Sequence, residues 1–154
     1  MQADWVFHPY VGVGQVRLGM TPDEVAAVLG PPDDSELIVD MGEIREQREQ
    51  AALQAVYSAD DKRLVELGFS PPIAGLEFDG VPLFAARSDE ALGRVIQHDP
   101  SPLTIHGFVV FFGLGLTMTG FHDDDETQKA VTVFAKGRWD AVKPRMQKFV
   151  FLPR

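Results

Sequence analysis

The residues best suited to chemistry form two acidic clusters, each predicted to lie in a loop between strands. The larger is His122-Asp123-Asp124-Asp125-Glu126 and the smaller is Asp60-Asp61. Carboxylate oxygens bind Ca²⁺ or Mg²⁺, and an imidazole can ligate a transition metal. The larger cluster lacks the turn glycine and distal glutamate of an EF-hand loop, so we expect no metal. We predict instead that both loops and the rings beside them contact a partner protein. The predicted contacts are Tyr57, Asp60, Asp61, Phe121, His122, Asp123, Asp124 and Asp125.

The common enzyme motifs are missing from the sequence. Gly12-Val13-Gly14 is followed by Arg17, where a dinucleotide-binding fingerprint needs a third glycine. No serine lies in a Gly-x-Ser-x-Gly elbow. We therefore predict no catalytic residue and no cofactor. One alternative stays open, in which a hydrolase-like enzyme or ligand-binding domain uses His122 and nearby carboxylates as acid and base groups in a pocket between helix and sheet.

Length and composition indicate one compact globular domain over residues 1–154. The chain has a mass of 17.0 kDa and is 45% apolar, which is enough to build a core. It contains no cysteine, which excludes disulfides and Cys-ligated metal sites. Its longest strongly apolar stretch, Gly107 to Leu116, is far shorter than the roughly 18 residues of a membrane span. Asp4 interrupts the N-terminus early, unlike a secretory signal. We expect a cytoplasmic protein.

The charge is acidic and unevenly distributed. Lys and Arg number 14 against 23 Asp and Glu, giving a net charge of −9, which disfavours nucleic-acid and anionic-membrane binding. Residues 136–154 carry six basic residues and one acid, so this segment is net +5 and residues 1–135 are net −14. The basic segment is expected to pack against the acidic body. The acidic body itself predicts a partner with a basic surface.

Two short helices must position the loops. Thr21-Pro22-Asp23-Glu24 has the form of a capping box with proline at the first helical position, and Gly30 followed by two prolines is a strong stop. This predicts a helix over 22–29. A second helix is predicted from Ser88, as its N-cap, to a point before Pro100.

Alternating apolar residues predict several strands. The segment from Asp40 to Gln50 is strongly charged and predicts an exposed loop or a frayed strand end. The fold class expected is α+β, a largely antiparallel sheet with the short helices on one face. The predicted strands cover residues 52–57, 64–69, 76–78, 81–83, 104–112, 114–121 and 130–136.

An internal repeat with an offset of 67 residues relates the two halves. It aligns Thr21 with Ser88 and the stretch from Arg63 to Phe69 with the stretch from Ala130 to Lys136. The two acidic loops also correspond, if the second has about three extra residues. The predicted subrepeats are residues 14–80 and 81–147, each a helix followed by strands.

The first helix carries a family resemblance. Gly19-Met20-Thr21, then Val25, then Leu29-Gly30 and Pro32 resemble the GMT-x-x-x-V-x-x-x-LG-x-P signature of β-lactamase-inhibitor-protein-like domains, shared by the small lipoprotein of the outer-membrane assembly machinery. The chain also looks like bacterial immunity proteins, which neutralise a toxin. The resemblance implies helices packed on an antiparallel sheet and a role in protein binding. The absence of a signal peptide and of cysteine departs from the secreted inhibitors and the lipoproteins.

The leading expectation is therefore a non-enzymatic protein-binding module, an inhibitor or immunity-like protein that neutralises a partner. Acidic loops would speed encounter with a basic target, and the neighbouring rings would supply affinity. The enzyme or ligand-binding domain described above is one alternative. A homodimer that uses its exposed sheet face as its own interface is the other.

Overall fold

The computed structural model describes residues 5–49, 52–71 and 75–151. Within these ranges the chain forms two α-helices, fourteen strands and two short 3₁₀ turns at Val39–Met41 and Lys143–Arg145. The helices are α1 (Pro22–Leu29) and α2 (Ser88–His98). The strands are β1 (Phe7–His8), β2 (Gly12–Val13), β3 (Val16–Arg17), β4 (Asp34–Ile38), β5 (Glu43–Arg48), β6 (Leu53–Ser58), β7 (Leu64–Phe69), β8 (Glu77–Phe78), β9 (Val81–Pro82), β10 (Leu103–Ile105), β11 (Phe108–Phe111), β12 (Leu116–Thr119), β13 (Ala130–Phe134) and β14 (Gln147–Lys148).

The main sheet of the described residues has nine strands in the order β14-β10-β11-β12-β13-β7-β6-β5-β4. Every neighbouring pair in it is antiparallel. The expected α+β class, with a largely antiparallel sheet and two short helices, is confirmed. None of the described helices is long and apolar enough to cross a membrane.

The same order of elements occurs twice along the chain. The hairpin β2–β3, helix α1 and strands β4–β7 are followed by the hairpin β8–β9, helix α2 and strands β10–β13. The two sets of four strands meet where β7 pairs with β13. The division predicted between residues 80 and 81 falls inside the turn of the β8–β9 hairpin.

One hydrophobic core lies on one face of the sheet. Leu67 and Phe69 of β7, and Val131 and Val133 of β13, point to this face and are almost completely buried. Both helices contribute side chains to the same cluster, with Val25 from α1 and Ala91, Leu92 and Val95 from α2. Burial of apolar side chains by both helices on one side of the sheet is the main source of their stability.

The capping box at the start of α1 is confirmed. The Glu24 N–H donates to Thr21 Oγ1 over 3.3 Å, and the Thr21 N–H donates to Glu24 Oε1 over 3.0 Å. These bonds satisfy two donors that the first turn leaves unpaired. The bond from the Thr21 N–H also lowers the pKa of the Glu24 carboxyl, because it favours the charged form.

We expect Thr21→Ala to lower the free energy of unfolding by about 1 kcal/mol, since it removes the hydroxyl that caps α1. Thr21→Ser keeps the hydroxyl and is the matched control, expected to stay within about 0.5 kcal/mol of the wild type. Urea denaturation followed by circular dichroism measures both. Equal losses in the two variants would contradict a role for the hydroxyl.

The prediction for the charged segment after Asp40 was wrong. Its described part contains β5, which pairs with β4 on one side and β6 on the other. Glu43, Glu46 and Arg48 of this strand are buried. These charged side chains can be buried because each has an oppositely charged partner. The last residue of the predicted segment, Gln50, lies outside the described residues.

The prediction of one strand over 104–112 was also wrong. The chain turns back at His106-Gly107, where both residues have positive φ, and β10 pairs with β11. Two consecutive residues with positive φ are typical of the tight turns that join hairpin strands. The apolar run therefore makes two neighbouring strands rather than one.

Arg138 and Trp139, near the start of the basic C-terminal segment, pack on the opposite, outer face of the sheet, whereas Phe149 and Phe151 near its end pack against the core on the helix side. Arg138 Nη2 lies 2.7 Å from Glu43 Oε1, and Arg138 Nε lies 3.3 Å from Glu66 Oε1. The ring of Trp139 lies 5.5 Å from that of Phe108 and 6.0 Å from that of Phe134. One end of the outer face is therefore covered by this chain's own residues.

Candidate functional site

The larger acidic cluster lies in the loop between β12 and β13. The loop begins at Gly120, whose φ is +77°, and the Asp125 N–H donates back to the Gly120 carbonyl over 2.9 Å. The Asp125 side chain accepts from the N–H and the hydroxyl of Thr127, over 3.0 and 2.6 Å. Asp125 thus holds the loop in shape, while Asp123 and Asp124 remain exposed.

A cleft opens between this loop and the first turn of α2. Ser88 is the first residue of α2, and its hydroxyl donates to Asp124 Oδ1 over 2.8 Å. The cleft has a volume of about 340 Å³. It brings together polar groups from the helix and the loop with two aromatic rings. Its lining residues are Arg87, Ser88, Asp89, Phe121, His122, Asp124 and Phe151.

Ser88 was predicted to be the N-cap of this helix, and that prediction was wrong. The N-cap is Arg87, which makes no side-chain capping bond, and the Ser88 hydroxyl binds the loop instead. A hydroxyl at a helix start can bind either the backbone of its own first turn or a residue from elsewhere. Here the carboxylate of Asp124 provides the stronger, charge-assisted bond.

The electrostatics of the cleft are dominated by acids. Arg87 donates two hydrogen bonds of 2.8 Å to Asp89, and its guanidinium is also 3.9 Å from Glu90. The hydrogen bond from Arg87 lowers the pKa of the Asp89 carboxyl. Because Asp89 and Glu90 together outweigh this one cation, Asp124 is not neutralised. Among the described residues, Asp124 Oδ2 has no hydrogen-bond partner.

His122 lines the cleft and has one ring nitrogen buried. Its ring meets the ring of Phe149 edge to face, with 5.7 Å between the centroids. Nε2 lies 4.0 Å from Asp123 Oδ2, whereas the buried Nδ1 has no hydrogen-bond partner in the described part of the chain. Burying such an atom without a partner costs free energy.

The hydrogen bonds in the cleft differ from those of the serine–histidine–carboxylate arrangement. In serine hydrolases a histidine takes the serine proton and a carboxylate orients that histidine. Here the Ser88 hydroxyl donates to the carboxylate of Asp124, and among the described residues no hydrogen bond joins it to a histidine. Within residues 5–49, 52–71 and 75–151, no three histidine, aspartate or glutamate side chains converge to hold a metal ion.

The structure separates the two acidic loops. Asp60 and Asp61 are exposed in the β6–β7 turn, which lies at the Leu64 end of β7. The Asp123 loop leads into β13, and Val131 at the start of β13 pairs with Phe69 at the other end of β7. At about 3.4 Å per residue, the two loops are roughly 17 Å apart along the sheet.

Two of the predicted contact residues belong to the core. Tyr57 is fully buried in β6, and its hydroxyl donates to Glu46 Oε1 over 2.8 Å. Burial and this bond to a carboxylate raise the pKa of Tyr57. Phe121 is 2% exposed and lies under Lys129, whose Nζ is 4.9 Å from the ring centroid. Phe121 therefore reaches the surface only as a wall of the cleft.

Four cleft residues were not predicted as site residues. Arg87, Ser88 and Asp89 reach the cleft because α2 begins there. A serine at a helix start can use its hydroxyl to bind another segment instead of capping the helix, so Ser88 could have been considered as a site residue. The sequence does not show which loop faces it. Phe151 arrives with the C-terminal segment that crosses α2, where its ring is 3.5 Å from the position a side chain on Gly93 would take.

Comparison with known protein families and with curated proteins gives no match. Among solved structures, the chain is similar to a cysteine-rich secretory protein from Staphylococcus aureus, with a TM-score of 0.53 and 13% sequence identity. The match covers 99% of this chain and 56% of that one, so this chain spans about half the length of its structural neighbour. At this identity the likeness concerns the fold alone.

Proposed function

We propose that this chain is a non-enzymatic protein-binding module, an inhibitor or immunity-like protein that receives a basic side chain of its partner in the cleft beside α2. The observation that carries the proposal is the geometry of Asp124. The Ser88 hydroxyl holds one of its oxygens, and the other has no hydrogen-bond partner among the described residues. The rings of Phe121 and Phe151 line the same cleft. A lysine or arginine needs this combination, an apolar wall for its stem and a carboxylate for its charge.

Charge around the cleft supports a basic partner. Asp123 is exposed beside the cleft, and residues 1–135 carry a net charge of −14. Such a field attracts a positively charged partner and raises the rate of association. The cleft itself would then fix the register of the complex, because a charge buried on binding must find its counter-charge.

We further propose that the fold is a tandem of two β-lactamase-inhibitor-protein-like units. The repeated order of hairpin, helix and four strands supports this, as does the capped helix that carries the Gly19-Met20-Thr21 signature. The predicted bounds of the two units, residues 14–80 and 81–147, would shift to 12–69 and 77–134, so that each unit begins with its hairpin and the two are joined through β7 and β13.

The proposal predicts that Asp123→Lys slows association with the partner about threefold to tenfold at low salt, with a smaller difference at high salt. The partner is first captured with the full chain as bait from a lysate of the source organism. Association rates are then measured by surface plasmon resonance over a range of salt concentrations. Asp61→Lys makes the same charge change at the other end of the sheet and is the matched control.

If the cleft is the contact, Asp123→Lys must slow association more than Asp61→Lys does. If both slow association equally, net charge alone steers the partner and the cleft is not the contact. If neither does, the proposal fails.

A hydrolase-like function is the second candidate, because Ser88, His122 and Asp124 all belong to one cleft. In this candidate the Asp124 carboxylate, which accepts the hydrogen bond of the Ser88 hydroxyl, would have to act as the base. A serine-directed fluorophosphonate would label Ser88 in an active hydrolase. No labelling of the wild type, compared with Ser88→Ala, would exclude this candidate.

A further inference from the structure

The edge of the sheet at β4 combines free backbone groups with exposed apolar side chains. β4 is the last strand of the sheet order, and no described strand pairs with its outer side. Four of its five residues are exposed and the fifth is half-buried. Leu37, and Val39 and Met41 in the 3₁₀ turn that follows, are 59%, 76% and 59% exposed. An uncovered strand with such residues can pair with another chain.

Lysine, proline and a β-bulge, three of the usual protections of an edge strand, are absent from β4, and its only charged residues are the acids Asp34 and Glu36. Its sequence, Asp34-Ser35-Glu36-Leu37-Ile38, has no lysine and no proline, and its pairing with β5 continues without a bulge. The other edge of the sheet, β14, is only two residues long. Among the described strands, β4 therefore offers the longer template for β-strand addition.

The charges of β4 select among partners. Asp34 and Glu36 point to one face of the sheet, because alternate side chains of a strand share a face. A symmetric antiparallel pair of two β4 strands would bring these acids of both copies together on that face. Like charges opposite one another oppose such pairing. An added strand with basic residues at the matching positions would instead be stabilised.

We propose that β4 is a docking edge for an extended segment of another protein in which basic and apolar residues alternate. The backbone of the segment adds a tenth strand, its basic residues lie beside Asp34 and Glu36, and its apolar residues lie on the Leu37 side. This surface is four strands, or roughly 19 Å, from β13 and does not depend on the cleft.

The probe is an acetylated ten-residue peptide of alternating lysine and valine, titrated into the full ¹⁵N-labelled chain. We expect shifts of backbone amide signals centred on 34–41, together with slower hydrogen exchange in β4. A peptide of alternating glutamate and valine is the control and should bind at least tenfold more weakly. Shifts centred elsewhere, or equal binding of both peptides, would overturn the proposal.

Variants of the chain test the charge selection. Asp34→Lys with Glu36→Lys should weaken binding of the lysine peptide about tenfold, since two attractive pairs become repulsive. Glu90→Lys with Asp140→Lys makes the same change in net charge on α2 and in the segment after β13, away from β4, and should alter the dissociation constant less than twofold. The neutral pair Asp34→Asn with Glu36→Gln preserves size and should weaken binding about threefold, which keeps the test valid if the lysine variant does not fold.

The second copy of this chain is the rival occupant. Light scattering of the unmodified chain over a range of concentrations should show a monomer, in which β4 stays free. A dimer that dissociates on Leu37→Lys would assign the edge to self-association and overturn the proposal. Failure of Asp123→Lys to slow association of the captured partner would count against the cleft alone, so the two proposals fail separately.

Discussion

Arg48→Ala should lower the free energy of unfolding by about 3–5 kcal/mol, the typical cost of leaving a buried charge without its partner. The side chains of Arg48 and Glu46 are 5% and 7% exposed, and Arg48 Nη1 lies 3.1 Å from Glu46 Oε1. Nε and Nη2 of the same guanidinium donate to the carbonyl of Gly30, over 3.2 and 2.9 Å. Gly30 ends α1, so a single residue of β5 neutralises a buried carboxylate and satisfies a helix-end carbonyl.

The double variant Glu46→Gln with Arg48→Met is the matched control. It removes both charges, and the side-chain amide that replaces the carboxylate can still accept the hydrogen bond that Tyr57 donates in the wild type. We expect it to recover at least about 2 kcal/mol relative to Arg48→Ala, because the uncompensated charge is gone. Urea denaturation at pH 7 measures all three proteins. A loss below about 1 kcal/mol for Arg48→Ala would mean that Glu46 reaches water or another donor.

Arg48 also explains why β5 could not be predicted from its sequence. Charged residues at alternate positions indicate an exposed segment when only composition and periodicity are considered. Glu46 is buried because Arg48 is two residues away on the same face and Tyr57 lies beside it on β6. The buried Glu43 pairs with Arg138, which is 95 residues along the chain. Burial of charge depends on such distant partners, and a pattern within one segment does not contain them.

By contrast, the elements that are stabilised by residues close together in the sequence were predicted correctly. The capping box of α1 and its glycine–proline exit lie within twelve residues, and the helix has the predicted bounds. The β6–β7 hairpin was predicted for the same reason, because two alternating strands flank a polar turn. The hairpin at His106-Gly107 was missed, because the apolar run continues through a turn whose only signal is one glycine.

The candidate site was predicted in part, and the limit has a geometric cause. The sequence placed acids in two corresponding loops, but correspondence in a repeat does not mean proximity. Because β7 and β13 pair antiparallel, the equivalent loops of the two halves point to opposite ends of the sheet. Asp123 and Asp124 instead meet the start of α2. The contact between Ser88 and Asp124 spans 36 residues and has no counterpart in sequence spacing.

Gly120→Ala is expected to cost at least about 3 kcal/mol of the free energy of unfolding and to displace the acidic loop. Gly120 has a φ of +77°, where an alanine pays about 1–2 kcal/mol. An added methyl group would also lie 2.6 Å from the Asp125 carbonyl oxygen and 2.6 Å from the Lys129 nitrogen. Both are backbone atoms of the loop itself, so relief of the clash requires the loop to open.

Gly107→Ala separates the conformational cost of a positive φ from the steric cost of the added methyl group. Gly107 has a similar φ of +85°, but nothing lies within 4 Å of the position its side chain would take. This control should lose only the conformational cost of about 1–2 kcal/mol. Thermal and urea unfolding give the difference between the variants, which isolates the steric cost. Equal losses would show that the Gly120 turn can widen without strain.

The Gly120 variant also tests what holds the cleft together. The Asp125 N–H donates to the Gly120 carbonyl, and Asp124 lies inside the turn that this bond closes, from where it reaches Ser88. If the loop opens, Asp124 moves away from α2 and the cleft loses its carboxylate. In Gly120→Ala, amide signals of 87–89 should therefore shift together with those of 121–125, whereas Gly107→Ala should leave both groups unchanged. Shifts confined to 119–121 would mean that the Ser88–Asp124 contact survives a change in the turn, so that α2 alone would hold the loop in place.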